Sequence, residues 1–265
     1  MKIKPTYVAA LALLYCTALV SCKKDELTSK EGGSYVDACR PTEFSIFGAQ
    51  DYLYKFVHDS LKRLVEINDG SKLTKFVYDQ QGYLSSIQVY ENNILKELKE
   101  YNYMDGKPVI EKSYFVNDSI KQIWEIGKYE YQNGKISRKN FYSVNSADSQ
   151  ERYIVYIDYT VDRNDNITSE TYYYPDSNSV FSKSHSYTYT YSEYPTSTGI
   201  NYVLFDNSDL VQNRFLPKTL TTQNQLGSSL LTFNYQTINA KGYPTSFNGL
   251  MSNGSYTFNA SYNCD

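Results

Sequence analysis

From residue 51 onward apolar and polar side chains alternate with a period of two, the pattern of strands with one face on a core and the other toward water. In 152–161 (RYIVYIDYTV) Tyr153, Val155, Ile157, Tyr159 and Val161 share one face, opposite Arg152, Ile154, Tyr156, Asp158 and Thr160. In 186–192 Tyr187, Tyr189 and Tyr191 share a face with Ser and Thr on the other. In 255–262 Tyr256, Phe258, Ala260 and Tyr262 alternate with Ser255, Thr257, Asn259 and Ser261. Trp124, in step with Ile120 and Ile126, reads as a core residue. Beyond the leader no stretch sustains an apolar stripe at helical spacing over about twelve residues. The expected fold class is all-β.

Turn chemistry punctuates these runs. Tyr78-Asp79-Gln80-Gln81-Gly82, Asp105-Gly106, Asn133-Gly134 and Asn239 to Gly242-Tyr243-Pro244 offer residues that accept the positive φ of tight hairpins. The leading Tyr recurs at 78, 103, 131 and 159, so one strand–turn–strand unit fills each interval and the units form an array. The segment from 180 to 225 departs from this regularity. The runs amount to about 14–16 antiparallel strands in an up-and-down meander, too wide to stay flat. Such a sheet is expected to curl into an open or closed barrel-like form, or to split into two packed layers. Charges in mid-strand phases (Lys96, Glu100, Lys112, Lys135, Lys139, Arg152, Asp158, Glu170) argue that the barrel is soluble rather than membrane-spanning.

The first residues read as an address. Lys2 and Lys4 precede an apolar run from Tyr7 to Val20, which as a helix would rise about 21 Å, short of the roughly 30 Å of a bilayer core. Residues 1–21 are therefore expected to be a signal peptide. Leu19-Val20-Ser21-Cys22 resembles the lipobox of bacterial lipoproteins, which implies lipidation of Cys22. Residues 22–34 then form a lipidated Cys with a polar, flexible leash, and 35–265 a single β-meander domain. Lys23-Lys24-Asp25-Glu26 resembles the surface-export signal of Bacteroidota lipoproteins, implying an outer-membrane lipoprotein at the cell surface; the periplasmic face is the alternative.

Composition narrows the function classes. With 26 basic and 29 acidic side chains the chain cannot neutralise many phosphates, which excludes a nucleic-acid binder on global charge. Once Cys16 and Cys22 are set aside, Cys39 and Cys264 remain, and in an oxidising envelope they read as one disulfide; two free thiols are the alternative. Two distant His, His58 and His185, with two Cys give no metal-ligand spacing, and no phosphate loop or nucleophile elbow appears, so neither cofactor nor metal is expected. Asp162-Arg163-Asn164-Asp165-Asn166 has the oxygen density of a Ca²⁺ loop but lacks the central Gly and distal Glu of an EF-hand, and reads as a turn.

The Tyr-x-x-x-Gly units, the lipobox and the charged leash together resemble Tyr-rich surface lipoproteins of the Bacteroidota of unknown function, some in a domain family described as porin-like in fold. Tyr78-Asp79-Gln80-Gln81-Gly82-Tyr83-Leu84 also resembles one YD repeat of the RHS shell proteins. The resemblance supplies no catalytic residues. The 29 Tyr, with one Trp, are the single functional hint. Tyr suits half-buried strand surfaces, and it also suits sugar faces. The leading expectation is a non-enzymatic, lipid-anchored protein that binds a glycan or other ligand on a Tyr-lined face, with Tyr187, Tyr189 and Tyr191 as candidates. A scaffold for other envelope proteins and a glycan-degrading enzyme are the alternatives.

Overall fold

A computed structural model describes residues 39–48, 51–118, 120–145, 147–204, 213–251 and 254–264. The expected signal peptide, Cys22 and the 22–34 leash lie outside the described residues. Sixteen strands follow in order: β1 (Arg40–Phe47), β2 (Tyr52–His58), β3 (Leu64–Asn68), β4 (Lys72–Tyr78), β5 (Leu84–Glu91), β6 (Ile94–Met104), β7 (Lys107–Asn117), β8 (Ile120–Gln132), β9 (Lys135–Val144), β10 (Glu151–Val161), β11 (Ile167–Pro175), β12 (Phe181–Pro195), β13 (Phe215–Asn224), β14 (Gly227–Ile238), β15 (Pro244–Met251) and β16 (Gly254–Asn263). Each pairs antiparallel with its sequence neighbours, and β1 pairs with β16, so the meander closes into a barrel. A short helix, α1 (Thr198–Leu204), follows β12 and explains the irregular stretch between 180 and 225.

The seam is fastened covalently. Cys39 and Cys264 form a disulfide with Cα atoms 4.1 Å apart, next to the Arg40–Asn263 pair that ends the β1–β16 ladder. Several turns at this end share one design. Asp59, Asp79, Asp162 and Asn239 each accept hydrogen bonds from the backbone N–H groups two and four residues on. The segment 162–166 is therefore a turn, with the side-chain oxygens of Asp162, Asp165 and Asn166 engaged by protein donors. Asp105-Gly106 and Asn133-Gly134 have positive φ at both positions, the geometry of a two-residue hairpin.

The recurrent Tyr has a structural cause. At this end the hairpin ladders carry bulges, for example where Tyr78 pairs with Leu84 and Tyr103 with Pro108. A bulge disrupts the local ladder. The Tyr at the end of the following strand donates its hydroxyl to a carbonyl there: Tyr78 to Leu64, Tyr103 to Leu84, Tyr131 to Pro108, Tyr191 to Ile167 and Tyr235 to Pro217. Each hydroxyl ties its strand to the start of the strand before it.

Inside, Phe44, Phe56, Leu64, Ile67, Phe76, Ile87, Phe233, Phe247 and Phe258 form the core, and Ile200 of α1 is buried among them. The helix packs on β1 and β3. Asn166 and Asn213 hold the return from the helix. The Asn166 Oδ1 accepts from the Arg214 N–H at 2.7 Å, and the Ile167 N–H donates to Asn213 Oδ1 at 2.8 Å.

Bulges also correct two expectations. The β9–β10 register slips between Tyr153 and Val155, so Tyr153 joins Tyr142 and Tyr156 on the outer wall while Val155, Ile157 and Tyr159 face inward. The β7–β8 register slips at Trp124, which turns out of step with Ile126 onto Phe115 and is 37% exposed instead of buried in the core. Of the charges expected on the polar phases, Lys139 and Glu170 instead point inward and are buried. The outer wall still carries ion pairs, Arg138–Asp158, Lys128–Glu151 and Lys121–Glu100. A wall facing lipid needs an apolar band there.

Candidate ligand site in the barrel lumen

The lumen is graded along its axis. Inward-facing side chains near the disulfide end are buried, and those toward the other end become exposed. On β7 the inward series runs from Glu111, 1% exposed, through buried Ser113 to Phe115 at 51%. On β6 it runs from buried Tyr101 through Lys99 to exposed Glu97, and on β14 from buried Phe233 through Leu231 to exposed Ser229. The lumen is a cup, filled beside the helix and open opposite it.

One side of the cup is apolar and the other carries charge. On β6–β9 the Glu111 Oε2 accepts hydrogen bonds from Lys139 Nζ at 2.8 Å and from the Tyr129 hydroxyl at 2.5 Å. Lys99 Nζ lies 3.6 Å from Glu111 Oε1. The Lys139 ammonium also lies 4.9 Å from the Tyr129 ring centre and 4.6 Å from that of Phe141. Burial works against the Glu111 carboxylate, yet Lys139 and Lys99 hold it down to about 2. Nearby Glu125 goes the other way: burial raises it, Lys139 opposes that, and Glu111 adds to it. A buried ion cluster contributes little net stability compared with apolar packing, and such paired shifts in opposite senses are frequent at functional sites.

Past β10, the wall on β11 and β12 is aromatic. Glu170 accepts from the Tyr172 hydroxyl at 3.1 Å and the Tyr189 hydroxyl at 3.3 Å. His185 stacks on Tyr172 with centroids 4.3 Å apart, Tyr187 meets both edge-on, and Tyr174 stands exposed beyond them. Burial lowers the His185 pKa, which keeps the ring neutral near pH 7.

The three predicted site residues form one line down this wall. Tyr187 is partly exposed near the mouth. Tyr189 is buried on Glu170, and Tyr191 is committed to the Ile167 carbonyl. Burial pushes the Tyr189 and Tyr191 phenols far above their usual range. Only Tyr187 stands where a ligand could meet it. Sequence reasoning missed Glu111, Lys139 and Lys99; the signals were Lys139 and Gly127, a cation and a glycine inside strand runs.

No protein-family model and no curated protein matches this sequence. Among solved structures, a porin-like protein from Bacteroides vulgatus ATCC 8482 superposes with a TM-score of 0.57 at 16% identity, covering 84% of this chain and 98% of that one. Two looser likenesses do not reach superposition of the fold. A DUF3836 family protein from the same organism aligns with 33% of this chain and 90% of its own (TM-score 0.30, 14% identity). The TcdB2-TccC3-Cdc42 structure aligns with 77% of this chain and 10% of its own (TM-score 0.31, 12% identity). The chain shares its fold with the porin-like protein.

Proposed function

We propose that this protein is a lipid-anchored envelope lipoprotein that binds a ligand, a glycan in first place, within the open half of its barrel, without catalysing a reaction on it. The observation that carries the reading is the graded lumen. Exposed aromatic rings at its mouth lead down to buried, fully partnered charges, the mixture of apolar surface and few polar anchors that small-molecule sites use. Anchoring is read from Cys22 and the outer-membrane, cell-surface location from the charged leash, both by resemblance. Chain geometry is compatible with it, because β1 begins 18 residues after Cys22. No nucleic acid is expected as partner. The most buried acid of the lumen, Glu111, is sealed beneath Lys139 and Tyr129 and is not open to a substrate.

A second reading, a scaffold for other envelope proteins, draws on the outer wall. Tyr142, Tyr153, Tyr156, Tyr173 and Phe181 form a contiguous, partly exposed strip. Its rings spend their faces on one another and on cations: Arg138 lies 4.1 Å from the Tyr156 centre and Lys128 4.3 Å from that of Tyr142. That leaves edges and hydroxyls for a protein partner and little open ring face for a sugar.

The test is a glycan-array screen of residues 31–265, which form one compact unit, repeated with Tyr187→Ser and with Tyr156→Ser. Binding lost on Tyr187→Ser and kept on Tyr156→Ser supports the lumenal site. A folded protein that retains no glycan removes the sugar reading.

A further inference from the structure

At the mouth of the cup Phe115 and Trp124 stack with centroids 5.2 Å apart, yet remain 51% and 37% exposed. The β7–β8 bulge makes Trp124 the extra residue and re-aims it toward the inward-facing Phe115. Two carboxylates stand beside the pair: Glu125 follows Trp124 on β8, and Glu97 is the cross-strand partner of Phe115 on β6. We propose that Phe115, Trp124, Glu125 and Glu97 form a subsite for a protonated amine, so that the ligand of the cup is an amino sugar or a glycan bearing free amines. This assignment rests on the lumenal binding reading and gives it a ligand class.

The chemistry follows from the four side chains. Aromatic faces attract a cation through the ring quadrupole, Trp most strongly, and partial desolvation strengthens the attraction. Glu125 sits half-buried among charges that do not neutralise it in full. Lys139 and Lys99 act on it, but both are shared with Glu111, whose own charge repels it. Glu97 faces Lys72, which is ion-paired with Glu91 at 3.1 Å. An ammonium group placed here gains the open outer face of one ring of the stack and a carboxylate on a neighbouring strand. An acidic sugar would meet like charge, and a neutral one would cover Glu125 without compensating it.

Trp124 is the protein's single tryptophan, so its fluorescence reports on this subsite alone. Residues 31–265 are titrated with a glucosamine tetrasaccharide and with its N-acetylated counterpart at about pH 6, where a sugar amine is protonated. Trp emission and calorimetry are read together. The amine form is expected to bind at least about tenfold more tightly and to change Trp emission. Glu125→Gln, or Glu97→Gln if the first variant melts early, should abolish that preference. Equal affinity for the two sugars, or a preference that survives both substitutions, overturns the amine subsite and leaves the lumenal reading standing. Heat from neither sugar, together with an empty array, overturns both.

Discussion

The Cβ that Gly127 lacks would stand 2.8 Å from Cε of Lys139 and 3.6 Å from Cβ of Glu111. The bare backbone at Gly127 is thus the space in which the Lys139 side chain lies as it crosses to Glu111. Gly127→Ala forces that buried side chain to move and should cost about 1–3 kcal/mol, as overpacking does. Thermal melting of the variant checks this, and an unchanged midpoint would show that Lys139 has another path.

Glu111 ties stability to acidity. Its folded pKa of about 2 lies below the ordinary carboxylate value of 4.5. A depressed carboxyl stabilises the fold above its unfolded pKa, and that contribution fades as pH falls from about 4.5 through about 2. Glu111→Gln leaves Lys139 buried beside a neutral group and is expected to cost about 3–5 kcal/mol at pH 7. Urea melts of both proteins across that interval should show the gap narrowing. A constant gap would place the effect in packing instead of charge.

The disulfide spans 225 residues of sequence, so it restricts the unfolded chain over nearly the whole barrel. Loop-closure entropy assigns such a link roughly 5 kcal/mol, with measured values commonly about 2–5. Replacing both Cys39 and Cys264 by Ser should lower the melting temperature without opening the β1–β16 ladder. Amide exchange at Phe44 and Ala260, which face each other across that ladder, separates a weakened barrel from an opened one.

Each Tyr–carbonyl tie should be modest and local. Tyr103→Phe and Tyr131→Phe remove one hydroxyl apiece, and a neutral hydrogen bond of this kind contributes about 1 kcal/mol net. The ties serve different hairpins, so the double variant should lose close to the sum. A double variant far worse than that would mean that neighbouring hairpins are coupled through their bulges.

Trp124 gives the simplest check on the mouth. Its exposure predicts red-shifted emission and ready quenching by acrylamide in the folded protein, with little change on unfolding. Blue-shifted, protected emission would return it to the core.

Most of the architecture was legible. Alternation and Asp-Gly or Asn-Gly turns disclosed the meander, and Cys39 with Cys264 pointed to closure. What escaped depends on register. A bulge is a single extra residue, and around Tyr153 and Trp124 it reverses which face the following side chains take, so strict alternation misassigned both. In the Glu111–Lys139–Lys99 cluster Lys139 and Glu111 lie 28 residues apart, on strands that do not pair with each other, a distance at which no local pattern speaks. Helix α1 buries Ile200 completely, and seven residues are too few to show a stripe. The recurring Tyr was visible as a rhythm, but its cause, a hydroxyl reaching a carbonyl on the preceding strand, needed coordinates.

Pairing the first strand with the last has a kinetic consequence. Phe44 must find Ala260, 216 positions further along the chain, and contacts so remote in sequence form slowly because chain entropy is lost before they reward it. The second edge of β1, which is paired with β2 on its other side, therefore waits open until β16 is in place, exposed meanwhile to other unpaired strands. Assembly should be limited by this last joining, and any factor that shields the open edge would matter most during that interval.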